Sequence, residues 1–336
     1  VDCSFPTSMV KTAVIGIGSM GQNHARVLSE ISDLVVVADA NKKEVERVAS
    51  RYGVESTDDM DSVLKNPGIQ GVSIATPTST HFDIASKALR SGKHVMVEKP
   101  MCSTVEQAQE LIRIAEETGS RLMVGHIERY NPVVAFCKDL LDKDKFGKVV
   151  SLSSRRVSSF PARIRDVGVV MDLGIHDIDV IRYLIGRPVV GVYAQVGSSG
   201  QTQFEDHANM LLKFDSGTIA HLEVNWLTPM KVRKVFLTCD QSFVEMDYIT
   251  QSLQISKSST MDLDLDDLSR IPQQYDIRRL EVRPEEPLKK ELKDFLSMVK
   301  GEKEPMVTAE DGLWNLKIAH AAIQSSREGR FIKFDD

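Results

Sequence analysis

The sequence predicts an α/β fold: an N-terminal doubly wound parallel sheet, then an α+β domain on a mostly antiparallel sheet. Three observations carry this reading. A G-x-G-x-x-G turn, Gly16 to Gly21, joins a short apolar run to a helical pattern. As far as Val124, apolar runs alternate with helical stretches of about ten to fifteen residues. Beyond Pro132 the runs alternate apolar with polar residues, as in Thr218 to Val224, the mark of strands covered on one face.

The first unit of this pattern is the most specific. Thr12 to Ile17 is β-branched and apolar, a buried strand. Gly16 permits a tight turn, Gly18 lets a pyrophosphate approach the backbone, and Gly21 allows close packing of helix on strand. Ser19 and Met20 complete the turn, and a helix begins at about Met20 with Ala25, Leu28 and Ile31 on its apolar side. Its N-terminal N–H groups suit phosphate oxygens. A second buried run, Leu34 to Ala38, ends in Asp39, about 20 residues past the turn, where a carboxylate accepts from ribose hydroxyls. The arrangement is that of a dinucleotide-binding Rossmann unit. Asp39 repels a 2′-phosphate and so favours NAD, while Asn41, Lys42 and Lys43 leave NADP open. The glycines alone also fit an α/β unit that binds no nucleotide.

The remaining elements follow in order. Helices are expected over 42–52, 60–64, 82–91 and 105–118, and strands over 71–75, 94–97 and 121–124. Ligands on such sheets bind at the carboxyl ends of the strands. That rule gathers Gly16 to Gly21, Asp39, Thr76 to His81, Glu98-Lys99-Pro100 and Gly125 to Asn131 around one crevice. Residues 9–127 form the expected dinucleotide-binding domain and 128–336 a substrate-binding and oligomerisation domain. In the latter, helices are expected over 133–141, 170–185, 285–300 and 308–328, and strands over 149–157, 189–196, 206–214, 218–226, 234–239 and 242–247. Asp262 to Asp267 reads as an acidic loop or hairpin edge. The open face of the sheet predicts a homodimer or homotetramer.

Composition narrows the function. The chain has 336 residues, 42% hydrophobic and 27% charged, with a net charge of −6, ordinary for a globular protein of two domains. No basic tract suggests nucleic acid, and no apolar run has the length of a membrane span. The four cysteines have no metal-ligand or redox spacing, and Val1 to Ser8 lacks the pattern of a signal peptide, so a cytoplasmic location is expected. H-E-x-x-H, C-x-x-C, G-x-S-x-G and the P-loop are missing from the sequence, and no metal is expected.

Several residues could carry chemistry. Asp172 and His176 stand four apart at the opening of a helix, one turn apart on a regular face. A carboxylate beside an imidazole orients the ring and stabilises its protonated form, which suits a general base; a core histidine tied to a capping acid explains the spacing equally well. Lys99, held extended by Pro100, would project into the crevice and stabilise an alkoxide; a surface lysine is the alternative. Thr76, Pro77 and His81 lie in a hydroxyl-rich loop at another strand end that also serves as a helix cap. Glu128, Arg129, Tyr130 and Asn131 crowd polar groups at the domain change, as a ligand site or as a hydrogen-bonded linker. Arg155, Arg156, Arg163 and Arg165 suit a phosphorylated or carboxylated substrate, or solvent.

Taken together, Gly16 to Gly21, Asp39, Thr76-Pro77-Thr78 with His81, Glu98-Lys99-Pro100 and Asp172-x-x-x-His176 resemble the glucose–fructose oxidoreductase/inositol dehydrogenase (Gfo/Idh/MocA) family, from Val10 to Arg330. The resemblance implies an NAD-dependent oxidoreductase that takes a hydride from a sugar hydroxyl carbon. It implies that Lys99 binds the reacting hydroxyl, that His176 is the acid/base, that Asp172 supports it, and that the Lys99–Pro100 bond is cis. Glu98 and Lys99 then join Gly16, Gly18, Ser19, Met20, Gly21, Asp39, Thr76, Pro77 and His81 at the cofactor. Lys99, Glu128, Arg129, Tyr130, Asn131, Arg163, Asp172 and His176 are the expected substrate residues. Gly125 to Pro132 resembles the branch that oxidises C3 of UDP-N-acetylglucosamine and related nucleotide sugars. Inositol or free-aldose dehydrogenases, an enzyme coupling two sugars through a held NADP, and a non-catalytic NAD-sensing regulator are the alternatives.

Overall fold

The computed structural model describes residues 9–161, 166–200, 203–258 and 275–334. The chain forms two compact units, the first running to Tyr130 and regaining Glu286–Lys317, the second holding Asn131–Glu285 and Ile318–Asp336.

In the first unit, β1 (Lys11–Ile15), α1 (Ser19–Ile31), β2 (Asp33–Ala38), α2 (Lys42–Tyr52), β3 (Glu55–Thr57), α3 (Met60–Lys65), β4 (Gly71–Ile74), α4 (Thr78–Arg90), β5 (His94–Glu98), α5 (Val105–Thr118) and β6 (Leu122–Gly125) follow one another. Among the described residues they make a six-stranded parallel sheet of order β3-β2-β1-β4-β5-β6. The order reverses between β1 and β4, which opens a crevice at their carboxyl ends. Ala13, Val14, Val72, Val95, Val97 and Val124 are fully buried, as strands covered on both faces require. Gly53 and Gly119 take left-handed conformations after α2 and α5 and end those helices. The edge strand β3 has only polar residues and gave no apolar signal.

After a 3-10 turn (Ile127–Tyr130) the second unit begins with α6 (Pro132–Asp142) and β7 (Val149–Ser159). A π-helical turn (Val170–Gly174) runs into α7 (Ile175–Ile185). Then come β8 (Val189–Gly197), β9 (His207–Phe214), β10 (Ile219–Asn225), β11 (Leu227–Cys239), β12 (Phe243–Asp247), β13 (Ser252–Ser258) and β14 (Tyr275–Glu281). With β15 (Ile332–Lys333) they form, among the described residues, a nine-stranded sheet of order β14-β13-β12-β11-β7-β10-β9-β8-β15. Its pairs are antiparallel except β7 with β10. In β9 and β10 buried residues alternate with half-buried or exposed ones, as the sequence predicts.

The first compact unit runs to Tyr130 and takes in α8 (Pro287–Lys300), a stretch of the expected domain 128–336. The reason is packing: Gly71 leaves room for Phe295, whose ring would lie 2.9 Å from a Cβ at that position. The last helix, α9 (Ala309–Glu328), starts in the first unit and ends in the second. The acidic stretch 262–267 lies outside the described residues.

Candidate active site

The first unit supplies a nucleotide cradle. Gly16 has φ +91°, and a Cβ there would lie 2.7 Å from Thr76. A Cβ on Gly21 would lie 1.8 Å from the carbonyl oxygen of Gly16, so only glycine lets α1 start this close to the strand. Gly18 is different: a Cβ there meets nothing within 4 Å. It is exposed, as is Ser19, with Met20 half-buried. The space over Gly18 is where a pyrophosphate would approach, and α1 begins without a side-chain cap. Asp39 is half-buried, and its carboxylate accepts from Ile17 N at 2.6 Å and from Asn41 N at 2.8 Å. Each oxygen keeps a further lone pair for a ribose hydroxyl. These residues fit a dinucleotide.

The carboxyl ends of β4 and β5 carry the next residues. Thr76 and Lys99 are half-buried and Pro77 is exposed. The Lys99–Pro100 bond is cis. Behind Lys99 lies a buried polar group. His24 stands between Ser73 Oγ at 2.7 Å and Glu98 Oε1 at 3.0 Å, and Glu98 Oε2 accepts from Lys99 N at 3.2 Å. Burial pushes the Glu98 carboxyl up, but the His24 hydrogen bond and the nearby charges of His24, Lys99 and His81 outweigh it and hold the group below its ordinary range. His81 and Glu98 are 1% and 7% exposed, and their polar atoms serve backbone groups and His24. The resemblance places both at the cofactor; these contacts tie the loops that follow β4 and β5.

The segment 126–131 also carries buried polar groups. Arg129, 4% exposed, binds Met306 O at 3.0 Å and Asp311 Oδ2 at 2.7 Å. Tyr130, 3% exposed, donates to Asp294 Oδ2 at 2.7 Å; burial first, then the charges of Glu291 and Asp294, push its phenol well above the ordinary tyrosine range. Asn131 caps α6 through Val133 N and donates to Tyr248 O at 3.2 Å. Glu128 is buried. The contacts of Arg129, Tyr130 and Asn131 are of the kind that a hydrogen-bonded linker makes.

The second unit places Asp172 in the π turn and His176 in the first turn of α7. The regular i, i+4 face expected for the pair is therefore altered by the wider π winding, a feature common at functional sites. From Met171 to Val180 every residue is buried except His176, which is half-buried. Two groups support this region, Arg156, which the sequence offered for a substrate anion, and Glu205, which it did not mark. Arg156, 1% exposed, reaches Asp177 Oδ1 from both Nε and Nη2 at 2.8 Å and lies 4.9 Å over the Tyr248 ring. Glu205 accepts from Val170 N at 3.3 Å through its carboxylate, and its backbone carbonyl accepts from Val169 N at 3.0 Å. Burial raises the Glu205 carboxyl above its usual range. Arg155 pairs with Glu223 at the surface, while Arg163 and Arg165 lie outside the described residues.

Cys102, Cys137 and Cys239 are buried and unpaired, and burial pushes the Cys102 and Cys137 thiols up to about 12 and Cys239 to about 11. Among the described residues no group of histidine, cysteine and acidic side chains is arranged to hold a metal ion, and no helix is long and apolar enough to cross a membrane.

Comparison with known proteins decides the family. Residues 10–126 match the oxidoreductase family with an NAD-binding Rossmann fold, and residues 134–244 match the GFO/IDH/MocA C-terminal domain. The chain belongs to the Gfo/Idh/MocA family. It is an NAD-binding dehydrogenase acting on CH–OH groups. It is 33% identical to the UDP-N-acetylglucosamine 3-dehydrogenase of Acidithiobacillus ferrooxidans, over 73% of this chain and 76% of that enzyme. It is 31% identical to the scyllo-inositol 2-dehydrogenase (NAD(+)) of Bacillus subtilis, over 97% of this chain and 96% of that one. A solved structure of the Acidithiobacillus enzyme superposes with a TM-score of 0.85 at 28% identity, covering 95% of this chain and 97% of its own.

Proposed function

We propose that the protein oxidises a ring hydroxyl of a sugar, C3 of a nucleotide sugar such as UDP-N-acetylglucosamine, with His176 as proton acceptor and Lys99 as the cation that holds the reacting oxygen. The observation that carries this is the exposure of His176 alone in the buried run 171–180. Bound NAD would supply the hydride acceptor. The chain's own part is positional and electrostatic. His176 removes the hydroxyl proton, Asp172 sets the ring and offsets its charge, and the Lys99 ammonium stabilises the alkoxide as the C–H bond weakens. Gly18 and the start of α1 receive the pyrophosphate, Asp39 the ribose, and Thr76 and Pro77 the loop side of the cofactor.

The nucleotide-sugar assignment is supported by the Acidithiobacillus relative and the segment 125–132. A polyol reading also has an observation in its favour. Arg129 and Arg156 are taken up in buried ion pairs, and the inositol relative spans nearly the whole chain. NADH formation with UDP-N-acetylglucosamine, free N-acetylglucosamine, myo-inositol and scyllo-inositol separates the two. Turnover confined to the UDP-sugar is the expected result, and turnover on an inositol alone discards the sugar assignment. On the active substrate, His176→Ala and Lys99→Ala each lower kcat by roughly 100-fold or more with NAD binding retained, the range for a positioned acid/base. Unchanged turnover in both would remove the mechanism, and NAD binding without turnover on any substrate would favour a regulator.

Self-association fits the open sheet face. Strand register aligns Tyr193, Leu211, His221, Ser153 and Phe236 in one row, with Ile219, Thr238 and Phe243 in the next. Tyr193, Leu211, Ile219 and Phe243 are exposed apolar groups on this row pair, a surface that a second copy would cover by two-fold symmetry. Light scattering should report a dimer or tetramer that Leu211→Glu dissociates; a monomeric wild-type chain discards the idea.

A further inference from the structure

Two buried histidines stand behind the β4 and β5 strand ends, and their partners set them apart. His24 faces a hydroxyl, Ser73 Oγ, which can donate or accept, and a carboxylate, Glu98. More than one protonation state of His24 therefore satisfies its neighbours. His81 has no such latitude. Its Nδ1 is 2.9 Å from the carbonyl oxygen of Pro100 and its Nε2 is 2.9 Å from that of Thr76. A carbonyl oxygen only accepts. A neutral imidazole offers one N–H and one lone pair, so one contact would set lone pair against lone pair. His81 is 1% exposed, so bulk water cannot substitute. The doubly protonated ring donates to both carbonyls.

The two carbonyls belong to the two loops that matter. Thr76 follows β4, in the Thr76-Pro77-Thr78 turn, and Pro100 follows Lys99 at the end of β5. Lys99 is thus anchored on both sides of its own backbone: its N–H donates to Glu98 Oε2, and the residue after it is tied to His81. A buried cation needs a counter-charge. Glu98 provides it, itself ordered by His24, and Lys99 is the other charge nearby.

We propose that His81 is a standing imidazolium that positions Lys99, by tying the Pro100 carbonyl to the Thr76 carbonyl across the two strand ends. This rests on Lys99 as the residue that holds the reacting oxygen, but the charge state of His81 does not. Losing either ring proton breaks one of the two ties. The residue after Lys99 then loses its tie to His81 while Glu98, His24 and the Lys99 charge remain in place. Turnover should accordingly fall on the alkaline side, in step with the deprotonation of His81.

Nitrogen-15 NMR of the full-length protein with labelled histidine tests the charge directly, the His81 signals being assigned by their loss in His81→Asn. Both ring nitrogens carrying protons at neutral pH is the expected result, and a neutral tautomer overturns the proposal. Where His81→Asn does not fold, His81→Gln serves the assignment. The positioning role is read from kinetics. His81→Asn should lower kcat at saturating NAD and substrate by roughly 10- to 100-fold, the cost of a small displacement of a catalytic group. If kcat is kept and only NAD affinity falls, His81 serves the cofactor loop and the proposal is wrong. If the wild-type protein turns over no sugar, it is the functional reading that fails. The Lys99 amide resonance then decides the positioning claim: a shift between wild type and variant supports it, and no shift overturns it.

Discussion

The glycine turn 16–21 and the segment 125–132 are both dense motifs at the carboxyl ends of strands in the same parallel sheet, yet they use their groups in opposite ways. The turn presents backbone. Gly18 has open space where a side chain would be, and α1 starts without a side-chain cap. The later segment presents side chains, and it turns them inward: Arg129 to Asp311 and Met306, Tyr130 to Asp294, Asn131 to Tyr248. A motif made of absent side chains has few structural uses besides a close approach to something. A motif made of Arg, Tyr and Asn has many, because those groups must find partners wherever they are buried. The first kind reads as a ligand site from sequence; the second reads equally as a joint.

The largest test of this contrast is Gly21→Ala. The new Cβ would meet a backbone carbonyl, that of Gly16, at 1.8 Å, and backbone cannot swing aside as a side chain can. Moving the loop costs about 3 kcal/mol, so NAD affinity should fall by roughly 100-fold in a calorimetric titration. Gly18→Ala, with nothing near its Cβ, keeps the empty loop intact and should lose affinity only where the pyrophosphate lies. Equal, small losses in both variants would mean that the turn is not the cradle.

The same distinction explains what could be read in advance. The parallel sheet and the alternating strands of the second sheet come from local periodicity and backbone chemistry, which neighbours in sequence determine. Candidate positions such as Asp39, Lys99 and His176 come from the same rules plus topology. What was illegible depends on partners far along the chain. Arg156 is 21 residues from Asp177, and Arg129 is 182 from Asp311. His81 lies 19 residues from Pro100, and nothing in Thr76 to His81 says that both ring nitrogens face carbonyls. The π turn before α7 gave no warning either, since Val169 and Val170 lean on Glu205. The return of α8 to the first unit needed Phe295 over Gly71, a contact no composition shift marks.

Arg129→Met gives the smaller test and bears on the other half of the contrast. Arg129 is 5% exposed at its side chain and Asp311 24%, so the pair is buried on one side and partly wet on the other. Removing the guanidinium strands Met306 O and leaves the Asp311 carboxylate without its cation. For fully buried pairs such a loss costs about 3–5 kcal/mol, and the partial exposure of Asp311 places this one at or below the lower end, about 3 kcal/mol. A denaturant titration should show that loss in the midpoint with an unchanged slope. If the segment is a joint, the folded variant keeps the KM of the wild type for the sugar, since the arginine never touched it. A KM for a UDP-sugar that rises about ten-fold or more, with that for the free sugar unmoved, would place the guanidinium at the diphosphate and make the segment a ligand site after all.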